Sequence, residues 1–295
     1  MTSGLVVIDK PAGITSHDVV ARVRKIFKTR RVGHAGTLDP MATGLLIIGI
    51  ESGTKALSFI SNASKKYSAT IRLGAATVTD DAQGEQISFT DASHLTDEEI
   101  RRGLHAMIGE IEQVPARVSA IKVNGERAYA KVRAGEDVEL KPRRIKIYSL
   151  EVQDIFRAGP FVEVDITVEC SSGTYIRSIA RDLGNTLGVG GHLTALRRTE
   201  SSGFTESDAH ELDTAFKGLI PLRTALVKFM PEVKVSSEQV ALVERGQRLP
   251  WIYGDATDAV AVIGPDDALL AIGEHVIEND VPKLGYHSVF IGGAK

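Results

Sequence analysis

A chain of 295 residues is long enough for one large domain or for a large domain with a small appendage, and at 43% hydrophobic and 25% charged its composition is ordinary for a soluble globular protein. Its single cysteine, Cys170, excludes an internal disulfide framework or a thiolate metal cluster within one chain. The net charge of −3 argues against a uniformly basic nucleic-acid binder but not against a segregated one, so its distribution matters more than its sum.

Leu5-Val6-Val7-Ile8 reads as a buried strand, too short for the apolar core of a signal peptide, and it runs into a turn at Asp9 to Gly13. Without a leader or a membrane-length apolar run, the expectation is a cytoplasmic chain. Thr15 and Asp18 form a capping box for a helix whose apolar stripe is Val19, Val20, Val23, Ile26 and Phe27. Arg22, Arg24, Lys25 and Lys28 lie off that stripe, so a basic helix leads to the stretch Arg31 to Gly44, RVGHAGTLDPMATG.

In that stretch Asp39 is the only carboxylate. Gly33, Gly36 and Gly44 are expected to take conformations closed to other residues, and Pro40 keeps Asp39 out of the helical region. Leu45 to Ile50 is a buried-strand run that fastens the loop to the core. A turn-capping aspartate and a catalytic one both fit this pattern. Gly53-Thr54-Lys55 lacks the spacing of a phosphate loop, so nucleotide hydrolysis is set aside.

Lys66 to Gly74 alternates as a strand, Thr77 to Gly84 is a polar turn, and Thr96 with Glu99 caps a helix carrying Ile100, Leu104, Met107 and Ile108 as far as Gly109. Residues 113–146 change character, with nine basic against four acidic residues between Arg117 and Lys146, and read as a mobile basic insertion. Ile145 to Phe156 and Phe161 to Val168 form a hairpin through Gly159-Pro160. Gly173-Thr174-Tyr175 opens a helix with Ile176, Ile179, Ala180, Leu183 and Leu187 inward and Arg177 and Arg181 on another face. Near Phe229-Met230-Pro231 the chain changes domain. Ser236 and Gln239 cap a further helix stopped by Gly246, and Ala259 to Ile263, Ala268 to Ile272 and Val289 to Ile291 read as short strands. So small a β-rich end is marginal alone and is expected to lean on its neighbour.

Taken in order, these pieces resemble the TruB-type bacterial tRNA pseudouridine synthases, which act on uridine 55 of the TΨC loop. The resemblance is carried by Asp9-Lys10-Pro11 with Gly13 and Ser16, by Gly33 to Pro40 with Ala42-Thr43-Gly44, and by Lys66-Tyr67 and Arg72-Leu73-Gly74. It continues through Thr79 to Ala82 with Gly84, Ser119-Ala120 with Lys122, Gly125 and Tyr129, and Cys170 to Arg177. It implies a mixed α/β fold with a central, mostly antiparallel sheet and flanking helices over residues 1–230, and a small β-rich PUA-like RNA-binding domain over residues 231–295.

The resemblance implies Asp39 as the essential carboxylate. It also implies Arg177 as the cation that keeps Asp39 charged beside apolar Leu38 and Leu45, and Tyr67 as a base-stacking ring near C5 of uridine. His34 would fill the gap left by the flipped base. Lys10, Thr37, Leu38, Asp80, Lys122 and Tyr175 are the remaining candidates for contact with RNA. Isomerisation involves no redox change, so no metal, nucleotide or other cofactor is expected, and the expected partner is the TΨC stem-loop of tRNA acted on by a monomer. At the C-terminal end, Ile252 to Asp280 holds seven acids and no Lys or Arg, so only edge residues such as Arg245, Arg248 or Lys283 are expected to touch RNA. Two rival readings remain open: an RNA-binding protein without activity, and a nucleosidase pairing Asp39 with Asp80 or Asp81.

Overall fold

The computed structural model describes residues 3–116, 122–123, 126–127, 140–254 and 259–294, with backbone alone at 122–123, 126–127 and 291–294. Residues 1–40, 44–63 and 200–295 make one compact unit, and residues 41–43 and 64–199 make the other.

The apolar runs of the first unit become strands covered on both faces. β1 (Gly4–Lys10) pairs antiparallel with a later strand, Thr43–Ile50, from Gly4↔Ile50 to Lys10↔Gly44. Between them lie α1 (Ser16–Phe27) and β2 (Val32–Ala35), and β2 also pairs with Thr43–Ile50, which is β3. The capping box of Thr15 and Asp18 starts α1, Val19, Val20 and Val23 are buried, and Arg22, Arg24, Lys25 and Lys28 are exposed. Gly53-Thr54-Lys55 lies in a 3-10 turn, Glu51–Ala56, before α2 (Leu57–Asn62).

The second unit opens with β4 (Lys65–Leu73), whose odd-numbered side chains are buried, then β5 (Ala75–Thr77) and β6 (Gln86–Phe89). The expected helix is α3 (Asp97–His105), shorter than the apolar pattern suggested. Gly109, at φ +110°, already begins β7 (Gly109–Gln113), and Ile108 is exposed. A ribbon of β8 (Lys122–Val123) and β9 (Glu126–Arg127) precedes β10 (Arg143–Ala158) and β11 (Phe161–Cys170), the hairpin expected over Gly159-Pro160. The expected mobility of residues 113–146 concerns a segment mostly outside the described residues. α4 (Ile176–Thr186) buries Ile176, Ile179, Ala180 and Leu183. β12 (Gly191–Ser201) was not anticipated; its residues within this unit complete a sheet ordered β12-β4-β11-β10-β7, antiparallel wherever β4, β11, β10 and β7 meet.

The chain then returns to the first unit through β13 (Phe204–Thr205) and α5 (Leu222–Leu226). β14 (Glu232–Lys234), α6 (Ser237–Glu244) and β15 (Leu249–Pro250) follow, then β16 (Val260–Ile263), β17 (Leu269–Glu278) and β18 (Val281–Ala294). Their sheet runs β14-β16-β17-β18-β15, a PUA-like half-barrel. β17 and β18 are longer than their apolar cores because Asn279 and Asp280, both at positive φ, close a tight hairpin that extends the ladder through polar residues. The small sheet leans on its neighbour as expected. Ala261, Ile263, Leu269, Ile272 and Phe290 share one buried cluster with Leu5, Val7, Leu45 and Ile47.

No helix among the described residues is long and apolar enough to cross a membrane.

Candidate active site

The Asp39 loop is built by pinning the residues on either side of the carboxylate. Ser16, buried at the start of α1, accepts a hydrogen bond from the Leu38 N–H (2.9 Å) and donates one to the Leu38 carbonyl (3.1 Å). Leu38 itself is buried and so anchors the loop by its side chain as well. Beyond Asp39, the Pro40 carbonyl accepts from the Gly13 N–H at 2.8 Å and from the Lys10 ammonium at 3.3 Å. Asp39 is left half-buried between two fixed peptides, with Thr37 exposed beside it. A carboxylate whose neighbours cannot move loses little orientation on binding substrate, which is what a reacting group requires.

Of the three loop glycines, Gly36 (φ +73°) and Gly44 (φ +95°) take the left-handed conformation that was expected. Gly33 does not. It lies in β2, and its missing side chain makes room for Leu57, whose Cδ1 would stand 2.9 Å from a Cβ there.

Lys10, expected among the contacts to RNA, has its side chain inside the loop. It is fully buried, and its ammonium donates to the carbonyls of Pro11 (2.9 Å), Ile14 (2.8 Å) and Pro40 (3.3 Å). A cation withdrawn from water that donates to three carbonyls braces the loop beneath Asp39.

His34, on β2, is half-buried, and its ring meets the His17 ring edge-on at 5.5 Å between centroids. His17, one residue after Ser16 on α1, was not singled out from the sequence.

In the second unit Tyr67 is buried on β4, on the same face as Lys65 and Ala69. Burial of Lys65 and the nearby Arg198 charge lower its pKa to about 8. Arg177, in the first turn of α4, is buried and not the surface arginine that helix position alone suggests. Its Nη1 donates to the Thr79 carbonyl at 2.7 Å and stands 3.6 Å from the Asp81 carboxylate. One turn on, Arg181 pairs with Asp80 at 3.2 Å and donates to the Val114 carbonyl at 2.7 Å. Burial raises the Asp80 pKa against the pull of Arg181 and Arg177.

Of the predicted residues, Asp80 and Arg177 therefore come together where the Thr77 to Gly84 turn lies against α4, and both carboxylates of that turn are engaged by guanidinium groups. Tyr175 is half-buried as the residue capping α4. The Lys122 side chain lies outside the described residues. Gln113, absent from the predicted set, bonds both backbone groups of Tyr175. The described residues hold no cluster of three or more His, Cys, Asp or Glu able to bind a metal ion.

Comparison with known proteins gives this arrangement its context. Residues 24–176 match the TruB family pseudouridylate synthase (N terminal domain), and residues 177–218 match the tRNA pseudouridylate synthase B C-terminal domain. The tRNA pseudouridine synthase B of Arthrobacter sp. (strain FB24) is 50% identical over 283 residues, 92% of each chain. That of Mycobacterium avium (strain 104) is 60% identical over 210 residues, 71% of this chain and 68% of the relative. Among solved structures, a chain of a Cbf5-Nop10-Gar1 complex superposes with a TM-score of 0.74 at 27% identity, covering 98% of this chain and 84% of that one. A chain of an H/ACA RNP bound to a substrate RNA containing 2'-deoxyuridine gives 0.72 at 26% identity, covering 97% and 84%. The fold is that of the pseudouridine synthases, and the chain belongs to the TruB family of pseudouridylate synthases.

Proposed function

We propose that this chain is a tRNA pseudouridine synthase that isomerises uridine 55 in the TΨC loop, with Asp39 as the essential carboxylate. Family membership supports uridine isomerisation in tRNA, and the observation that carries the role of Asp39 is its placement between two peptides held by Ser16, Gly13 and Lys10.

The reaction breaks the C1′–N1 glycosidic bond, turns the uracil and joins C1′ to C5, with the C5 proton finally lost. Asp39 attacks or stabilises the electron-poor sugar carbon as N1 departs, and Arg177 holds the carboxylate in place. The Tyr67 ring stacks on the base while its hydroxyl assists loss of the C5 proton. The target nucleotide leaves its stack first, and His34 occupies the gap. Thr37, Leu38 and Tyr175 line the path of the extruded nucleotide, and Lys122 and the basic insertion hold phosphates. Residues 1–230 form the catalytic domain. Residues 231–295 extend the footprint towards the acceptor arm through edge cations such as Arg245, Arg248 and Lys283. The enzyme acts as a monomer, without metal or organic cofactor, in the cytoplasm where tRNA is processed. Engagement of Asp80 by Arg181 and of Asp81 by Arg177 disfavours a nucleosidase needing a free acid partner for Asp39.

Carbodiimide mapping tests the assignment. Unmodified tRNA transcript treated with the purified protein should show one new reverse-transcription stop reporting position 55, and a transcript carrying cytidine there should show none. No stop, or a stop elsewhere, rejects the assignment.

A further inference from the structure

α4 starts without a cap of its own. Tyr175 holds the cap position at φ −100° and ψ 107°, and its side chain makes no capping hydrogen bond. The missing partner comes from another element. Gln113 ends β7 and is only 2% exposed. Its Oε1 accepts from the Tyr175 N–H at 2.8 Å, and its Nε2 donates to the Tyr175 carbonyl at 3.1 Å. The next residue continues the seam, its Val114 carbonyl accepting from Ser178 Oγ at 3.0 Å and from Arg181 Nη2 at 2.7 Å.

We infer that Gln113 is a positioning residue of the isomerase, its carboxamide setting the first turn of α4 and with it Tyr175 and Arg177. This rests on the proposed function, in which Tyr175 lines the path of the nucleotide and Arg177 holds the carboxylate. Four hydrogen bonds fix residues 113–114 to α4, and two of them need a side chain that both donates and accepts in one plane. Glutamine meets that need. A glutamate carboxylate offers acceptors alone and would set a buried charge against the Tyr175 carbonyl, whereas a protonated glutamic acid restores both bonds. Arg177 sits two residues past the pinned peptide, and from there it reaches Thr79 and Asp81. Reacting groups misplaced by about 1 Å lose up to roughly a hundredfold in rate.

The test compares wild type, Gln113→Leu and Gln113→Glu by tritium release from C5-labelled uridine in tRNA, across pH and at a temperature where all three are folded by circular dichroism. Gln113→Leu should lose about tenfold or more in kcat with KM for tRNA nearly unchanged, since a displaced first turn misplaces groups needed in the transition state. Gln113→Glu should match the Leu variant at pH 8 and recover towards wild type as pH falls, because burial raises the titration of that acid and its neutral form replaces the amide. A Leu variant with wild-type kcat, or a Glu-to-wild-type ratio flat with pH, overturns the inference. Should the Leu variant not fold, the pH profile of the Glu variant decides. A wild-type enzyme releasing no tritium overturns the proposed function, and the inference with it.

Discussion

Replacing Lys10 by Met separates two accounts of this basic residue, brace and phosphate contact, because they predict opposite results. The structure gives the ammonium three carbonyl partners and no exposure. Removing it leaves those acceptors short of a donor, at about 1–3 kcal/mol for each that cannot turn to water. The Pro40 carbonyl keeps its bond from Gly13, Pro11 is exposed, and the variant escapes the cost of desolvating an ammonium. The net loss is on the order of 2 kcal/mol, which lowers Tm by about 3 °C for a chain of this length. The assay pairs thermal unfolding with tRNA binding measured from low to moderate salt. A bracing lysine gives a lower Tm, a reduced kcat from the loosened Pro40 side of the Asp39 loop, and an unchanged slope of log K against log salt. Unaltered Tm with a slope reduced by about one contact would refute the brace and restore the phosphate contact.

Two further predictions follow from the buried titratable groups of the second unit. Lys65 has its pKa lowered from 10.5 to about 8 by burial and by Arg198, so the unfolded chain holds its proton more tightly than the folded one between those values. The stability contribution is fully present above pH 10.5 and is lost as pH falls through about 8. Lys65→Met should therefore gain relative to wild type on going from pH 10.5 to pH 7, by an amount on the order of 3 kcal/mol in urea unfolding; parallel curves would contradict this. Burial pushes the Cys170 thiol up to about 11, and its Sγ lies 3.8 Å from the Lys65 carbonyl. Iodoacetamide at pH 8 should label it slowly in the native protein and rapidly in urea, and equal rates would count against the buried thiol.

The sequence was most legible where local chemistry and burial agreed. The capping boxes at Thr15, Thr96 and Ser236 each start a helix, and the apolar runs of β1 and β3 become central strands. The Asp39 loop stood out because glycine, proline and one acid coincide there. β12 escaped notice because Arg197 and Arg198 interrupt its apolar pattern, yet Arg198 is almost wholly buried. Residue type likewise gives no sign that the Lys10 and Arg177 side chains are buried, since lysine and arginine are rarely withdrawn from water unless paired. Gln113 was invisible for a different reason. Its partners are backbone groups some sixty residues away, and no local spacing encodes that contact.

The most direct measurement is tritium release by Asp39→Asn, an isosteric change that removes the charge and leaves Ser16, Gly13 and Lys10 free to hold the loop as before. With Asp39 as the essential carboxylate, the purified variant binds tRNA with wild-type affinity, unfolds at nearly the wild-type temperature and releases no tritium from C5-labelled uridine. Turnover comparable to wild type would contradict the account at its centre.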